Sequence, residues 1–192
     1  MDAISSHFGL SVARGELEQC IASLEQALAA LSNSPFHVVL GLDFLHLTEG
    51  AAAYLVDLYR EASTKFPVQA IYVEMNGFDI NPDGWHCDGF AFKTAGDQWD
   101  IDWLALWDAQ SATSFELTGM EPVQTAYSVY GPSPKRTLLE DLVLELTDHL
   151  VNARFMQLIA AAHESAKRAC PSLAGLPVFS TAHDWSTVHR SE

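Results

Sequence analysis

The amino-acid sequence predicts an α+β fold: a mixed β-sheet of four or five strands that contains an antiparallel hairpin, packed by helices, with a long C-terminal helix. Three observations carry this expectation. The run Asn81-Pro82-Asp83-Gly84 separates two strand-like stretches, with Pro at the second turn position and Gly where a positive φ is wanted, the pattern of a hairpin turn with a Gly bulge. A capping box from Thr137 to Glu140 opens the longest stretch of helical periodicity. Elsewhere, apolar stripes spaced at three and four residues are interleaved with short apolar runs of strand length.

In chain order, residues 14–32 place Leu17, Cys20, Ile21, Leu24, Leu28 and Leu31 on one stripe, with Glu16, Glu18, Glu25 and Gln26 off it, so a helix with Cys20 as a core thiol is expected. Asn33-Ser34-Pro35 ends it, and the apolar residues 36–42 read as a strand. Thr48 is the expected N-cap of a helix over 49–65 that turns Ala52, Leu55, Leu58, Tyr59 and Ala62 inward. Pro67 stops that helix and residues 68–75 read as a second strand. A right-handed strand-helix-strand crossover follows if the two strands are parallel neighbours. Beyond the turn, residues 85–93 are rich in aromatics and should pair back antiparallel, making the hairpin 68–80 with 85–94. Residues 99–110 fit strand or helix equally, 114–118 a strand and 122–130 a short helix. The long helix runs from 137 to about 170, with Leu139, Leu142, Val143, Leu146, Leu150, Phe155, Leu158, Ile159 and Ala162 as its apolar face, until Pro171 closes it. Residues 171–192 show no period and are expected as a partly docked tail of a single domain spanning 1–192.

With 192 residues, 48% of them apolar, one domain with a real core is the default. The N-terminus lacks the basic start and apolar stretch of a secretory signal, and no apolar run approaches the ~20 residues that span a bilayer, so a soluble cytoplasmic protein is expected. Cys20, Cys87 and Cys170 are odd in number and far apart, which points to reduced thiols rather than a disulfide framework. A net charge of −15 disfavours nucleic acid and anionic membrane surfaces, since phosphate binding needs clustered Lys and Arg. It favours fast, salt-sensitive association with a basic protein, although solubility alone also accounts for it.

The charge is concentrated. Residues 74–121 hold ten carboxylates against the single base Lys93, and four of the five tryptophans lie among them. Acid runs that mark disorder carry few aromatics, so this mixture predicts a folded, acidic, aromatic surface. The residues expected to bind a partner there are Asp83, Trp85, Asp88, Trp99, Asp100, Asp102, Trp103 and Trp107. As strand or helix, Trp99, Trp103 and Trp107 form one stripe, and because such stripes are more often core than platform, at least two of these three indoles are expected to be buried.

No catalytic signature accompanies the segment. Asp79, Asn81 and Asp83 match the opening of a calcium loop, but the twelfth position, which needs a bidentate Glu, is Phe90, and the flanks read as strands. Acid pairs such as Asp100 with Asp102, or Asp83 with Asp88, have the residue types of a glycosidase, whose carboxyl spacing only three-dimensional structure provides. The eight histidines are scattered; Asp148-His149 and His163-Glu164 fall on the long helix, where a solvated or hydrogen-bonded role is expected. There is no Gly-x-Ser-x-Gly elbow, phosphate loop or dinucleotide turn, and no cofactor or metal is expected. The sequence therefore favours an acidic intracellular binding protein, of the inhibitor or immunity type, that neutralises a basic protein partner. The alternative is a small hydrolase using paired carboxylates within residues 74–121, and a metal-tuned scaffold ranks third.

Overall fold

The computed structural model describes residues 2–32, 34–76, 84–97, 99–131 and 136–192. The hairpin turn, with Asp79, Asn81, Pro82 and Asp83, lies outside the described residues. In chain order the elements are α1 (Asp2–Ala13), α2 (Leu17–Ala29), α3 (Thr48–Ser63), β1 (Ala70–Met75), β2 (Trp85–Phe92), β3 (Ala109–Gln110), β4 (Phe115–Leu117), α4 (Glu121–Tyr130), α5 (Leu138–Ala169), β5 (Val178–Ala182) and β6 (His189–Ser191). The expected α+β class holds, with a mixed sheet of six strands among the described residues, where four or five were expected, and the long helix as the largest element. The order is β3-β2-β1-β5-β6, with β4 also paired to β2. β1 and β2 form the expected antiparallel pair, Ala70 opposite Phe92 through Met75 opposite Cys87. β1 and β5 run parallel, while β5 and β6 are antiparallel.

Helix α5 begins as its sequence dictates. Thr137 Oγ1 accepts from Glu140 N at 3.3 Å, and a Glu140 carboxylate oxygen accepts from Thr137 N at 2.7 Å. From His149 to Ile159 every residue except Arg154 is buried, so the middle of α5 is a central rod rather than a one-sided surface helix. Leu139, expected on its apolar face, is exposed because the first turn projects beyond the elements that pack on it. Helices α2 and α3 flank α5, and all three share a core with Ile71, Val73, Met75, Trp85, Cys87, Val178 and Ala182 from one face of the sheet. Gly89 lets α3 lie close to β2: a Cβ there would stand 2.7 Å from Leu58 Cδ2. Cys20 is the core thiol its stripe implied. No helix among the described residues is long and apolar enough to cross a membrane.

Several expectations fail for physical reasons. Residues 36–42 are not a strand; Pro35–Val39 form a 3-10 helix. Ser34 Oγ accepts from Phe36 N, Pro35 sits at the first helical position, and the His37 ring accepts from Ser34 N at 2.8 Å while its other nitrogen donates to the Leu28 carbonyl at 2.8 Å. This N-terminal capping outweighs the apolar run, and the strand-helix-strand crossover disappears with it. Thr48 is the first residue of α3 rather than its cap, because its hydroxyl donates back to the Leu45 carbonyl. Residues 2–13, where no element is expected, form a helix, and Ile4, Phe8 and Val12 sit at the four-residue spacing of a helical stripe. Residues 171–192, expected as a partly docked tail, carry β5 inside the sheet between β1 and β6, buried at all five positions.

Candidate functional site

The period of two along each strand sorts side chains between the helix-covered face and the opposite one. On β1 the opposite face receives Tyr72 and Glu74, on β2 it receives Asp88, Phe90 and Phe92, and on β5 it receives Phe179 and Thr181. Register stacks these into two rows. Phe90, Tyr72 and Phe179 stand opposite one another across three strands, and one step along stand Asp88, Glu74 and Thr181. The first row is aromatic, with Tyr72 and Phe90 stacked at 5.8 Å; the second is polar.

The segment between β2 and β3 folds over the aromatic row and leaves the polar row open. Its only regular piece among the described residues is a 3-10 turn, Asp102–Ala105, so of residues 99–110, expected as one strand or one helix, only Ala109–Gln110 is strand. Trp103 is the wedge: its ring meets Phe92 edge-on at 4.7 Å and Phe179 at 5.2 Å, and its indole N–H donates to the Asp97 carbonyl at 2.9 Å. Gly96 makes room, since a Cβ there would stand 2.3 Å from Trp103 Cδ1. Asp108 fastens the segment to the end of β2 by accepting from Lys93 N at 2.8 Å and pairing with its ammonium at 2.9 Å, and these bonds lower its pKa.

Between this segment and the end of β5 lies a groove of about 550 Å³. Tyr72, Phe90 and Trp107 form one wall, Phe90 and Trp107 being 4.9 Å apart. Glu74, His183 and Asp184 line the other side. His183 Nδ1 lies 2.7 Å from one Glu74 carboxylate oxygen, and the Tyr72 hydroxyl donates to the other at 2.7 Å. Burial, and then the Glu74 charge, push the Tyr72 phenol far above its ordinary range, so it stays a donor. His183 Nε2 is 3.6 Å from an Asp184 oxygen. Asp184 has φ 62°, the left-handed region Asp tolerates better than most residues, and this reverses the chain at the groove's edge. Trp185 anchors the reversal by packing edge-on against His149 at 4.8 Å and against Phe8 at 6.1 Å. Next to the groove, Asp88 accepts from Asn76 Nδ2 at 3.1 Å and from Ser114 Oγ at 2.7 Å.

The residues expected to bind a partner do not form one surface. Trp85, 1% exposed, is a core side chain on the helix-covered face of β2, edge-on to Tyr127 at 6.1 Å. Trp103 is half-buried as the wedge, and with Trp99 and Trp107 exposed none of the three stripe indoles is fully buried, where two or more were expected. Trp99 is 70% exposed and Trp107 47%, and of these two only Trp107 lines the groove. Asp100 and Asp102 are exposed and belong to one local turn, Asp102 N donating to Asp100 Oδ1 at 3.3 Å, so they do not face each other across a cleft. Asp88 adjoins the groove through its register with Glu74, and Asp83 lies outside the described residues. What sequence reasoning missed is Tyr72, Glu74, His183 and Asp184. The alternation of Tyr72 and Glu74 against Ile71, Val73 and Met75 was the available signal on β1. Among the described residues no group of three or more His, Cys, Asp and Glu side chains is placed to hold a metal ion. Set against protein-family models, curated proteins and solved structures, the chain matches none of them.

Proposed function

We propose that the chain is an acidic binding protein whose sheet-face groove receives a basic side chain of a protein partner, the arrangement an inhibitor of a basic protein would use. The observation that carries this reading is the groove itself, with Glu74 and Asp184 beside an aromatic wall of Tyr72, Phe90 and Trp107. A guanidinium or ammonium entering there meets a carboxylate at its head and aromatic faces along its stem. The net charge of −15 adds long-range steering toward a cationic partner. We place this activity in the cytoplasm, a reading supported by three cysteines that are all unpaired. The paired-carboxylate hydrolase is carried only by Glu74 standing opposite Asp88. It is the weaker reading because the oxygens of both carboxylates are already engaged, by Tyr72 and His183 and by Asn76 and Ser114.

A short oligo-arginine peptide, titrated at low salt and followed by tryptophan fluorescence and amide shifts, tests the proposal. Wild-type protein should show a saturable site centred on Glu74 and Trp107, weakening as salt rises. The double variant Glu74→Gln, Trp107→Ala should bind at least about 30-fold more weakly, an anchor's share of roughly 2 kcal/mol. Asp100→Asn with Asp102→Asn should chiefly flatten the salt dependence. Equal affinity of wild type and the groove variant sinks the proposal.

A further inference from the structure

We propose that Ser191 and His163 form a nucleophile and general-base pair that takes the acyl group of a small uncharged or cationic carboxylic ester in a second groove, on the helix-covered side of the sheet. Ser191 Oγ lies 2.6 Å from His163 Nδ1, and His163 Nε2 lies 3.3 Å from the Leu173 carbonyl oxygen. A carbonyl oxygen can only accept, so Nε2 carries the ring proton and the Nδ1 lone pair faces the serine hydroxyl. This is the tautomer a general base needs, fixed by a third group as in other nucleophile and base pairs. Burial lowers the pKa of His163, with the Lys167 charge adding to the effect, so the ring is neutral at ordinary pH.

Geometry makes the hydroxyl reachable. His163 is fully buried on α5, whereas Ser191 is half-buried on β6 and lines a groove of about 470 Å³. The two-residue period of β6 turns Ser191 toward α5 and sends Arg190 to the opposite face, 5.8 Å over the Phe179 ring. Leu17, Leu45, Ala160 and Ala161 give the groove an apolar lining suited to a short acyl chain. Among its charged lining residues Glu18, Glu164 and Glu192 outnumber Arg190, which disfavours an anionic ester.

In the step proposed, Ser191 Oγ bonds to the ester carbonyl carbon while its proton passes to His163 Nδ1. The tetrahedral adduct collapses as the ester carbon–oxygen bond breaks, and the proton goes to the departing alkoxide, which leaves acylated Ser191 and an alcohol. Water, deprotonated by the same Nδ1, then releases the carboxylic acid and restores the serine. A backbone carbonyl rather than a carboxylate orients the ring, so the transient imidazolium is weakly stabilised and deacylation is slow.

The test is p-nitrophenyl acetate with the full chain, read by nitrophenolate release, intact mass and peptide mapping. Wild type should give a burst of about one equivalent and one acetyl group on Ser191. Ser191→Ala should abolish both, and His163→Gln should slow the burst by about 10²-fold, the lower end of what a positioned base supplies. Thermal melting establishes that each variant folds, and Ser191→Ala with the peptide map decides the matter if the buried His163 variant does not. Absence of acetyl on Ser191, acetylation confined to lysines, or a wild-type burst from folded His163→Gln overturns the proposal.

Discussion

Trp85 and Trp107 lie in the same acidic segment and look alike in sequence, yet the structure gives them opposite consequences when each is cut to alanine. Trp85 is 1% exposed and wedged between β2 and α4, against Tyr127. An indole buries about 150–250 Å², which at about 25 cal/mol per Å² is a transfer term of roughly 4–6 kcal/mol before the residual alanine is subtracted and the cavity term added. The net loss expected for Trp85→Ala is about 3–5 kcal/mol, the usual range for Trp to Ala in a core. Trp107 is 47% exposed and packs chiefly on Phe90. About half the area is at stake and solvent fills the gap, so Trp107→Ala should cost about 1–2 kcal/mol. At about 2–4 °C per kcal/mol for a chain of this size, the melting temperatures should fall by about 6–20 °C for Trp85 and by under about 8 °C for Trp107. Urea unfolding at neutral pH, followed by far-ultraviolet circular dichroism, measures both. Equal losses, or a neutral Trp85→Ala, would refute the assignment of the two indoles to opposite faces of the sheet.

Two further outcomes are expected. Gly96→Ala should destabilise by about 1–3 kcal/mol through overpacking against Trp103, and restoring stability by a compensating Trp103→Phe distinguishes this from a loss of glycine flexibility. Burial holds the imidazoles of His149, His163 and His189 below their ordinary range, His189 at about 4. The unfolded chain therefore takes up protons first as pH falls. This contribution is complete above about pH 6.5 and lost between there and pH 4, by about 3 kcal/mol for His189 alone. Urea melts across that window should show the slope, and His189→Gln should reduce it.

The elements that sequence made legible are those with local causes. Thr137 and Glu140 cap α5 whatever surrounds it, the α2 stripe from Leu17 to Leu28 lies within one helix of 13 consecutive residues, and the apolar run from Ala70 to Met75 pairs with the next strand along the chain. The failures are local contests decided by a residue of the other kind, or elements with no local signature at all. Ser34 and His37 turned an apolar run into a capped 3-10 helix. β5 gains its place from pairing on both sides, parallel to β1 and antiparallel to β6, and nothing within residues 178–182 announces that.

The candidate site was hidden for the same reason. Concentration of charge along the sequence pointed to residues 74–121, but a sheet redistributes neighbours by face and register, not by proximity in the chain. Trp85, next to acids in sequence, goes to the core because its strand position faces α4, while Glu74 meets a histidine 109 residues away. That meeting requires β5 to be parallel to β1 with Glu74 opposite Thr181, so that the chain leaving β5 carries His183 onto the same face two residues later. A one-residue slip of β5 would turn His183 toward the helices and dismantle the groove, while the composition of the acidic segment stayed unchanged. Under the proposed function the working unit is the row across the strands, with Glu74 at its centre, and the acids of the connecting segment would contribute the field around it rather than its contacts.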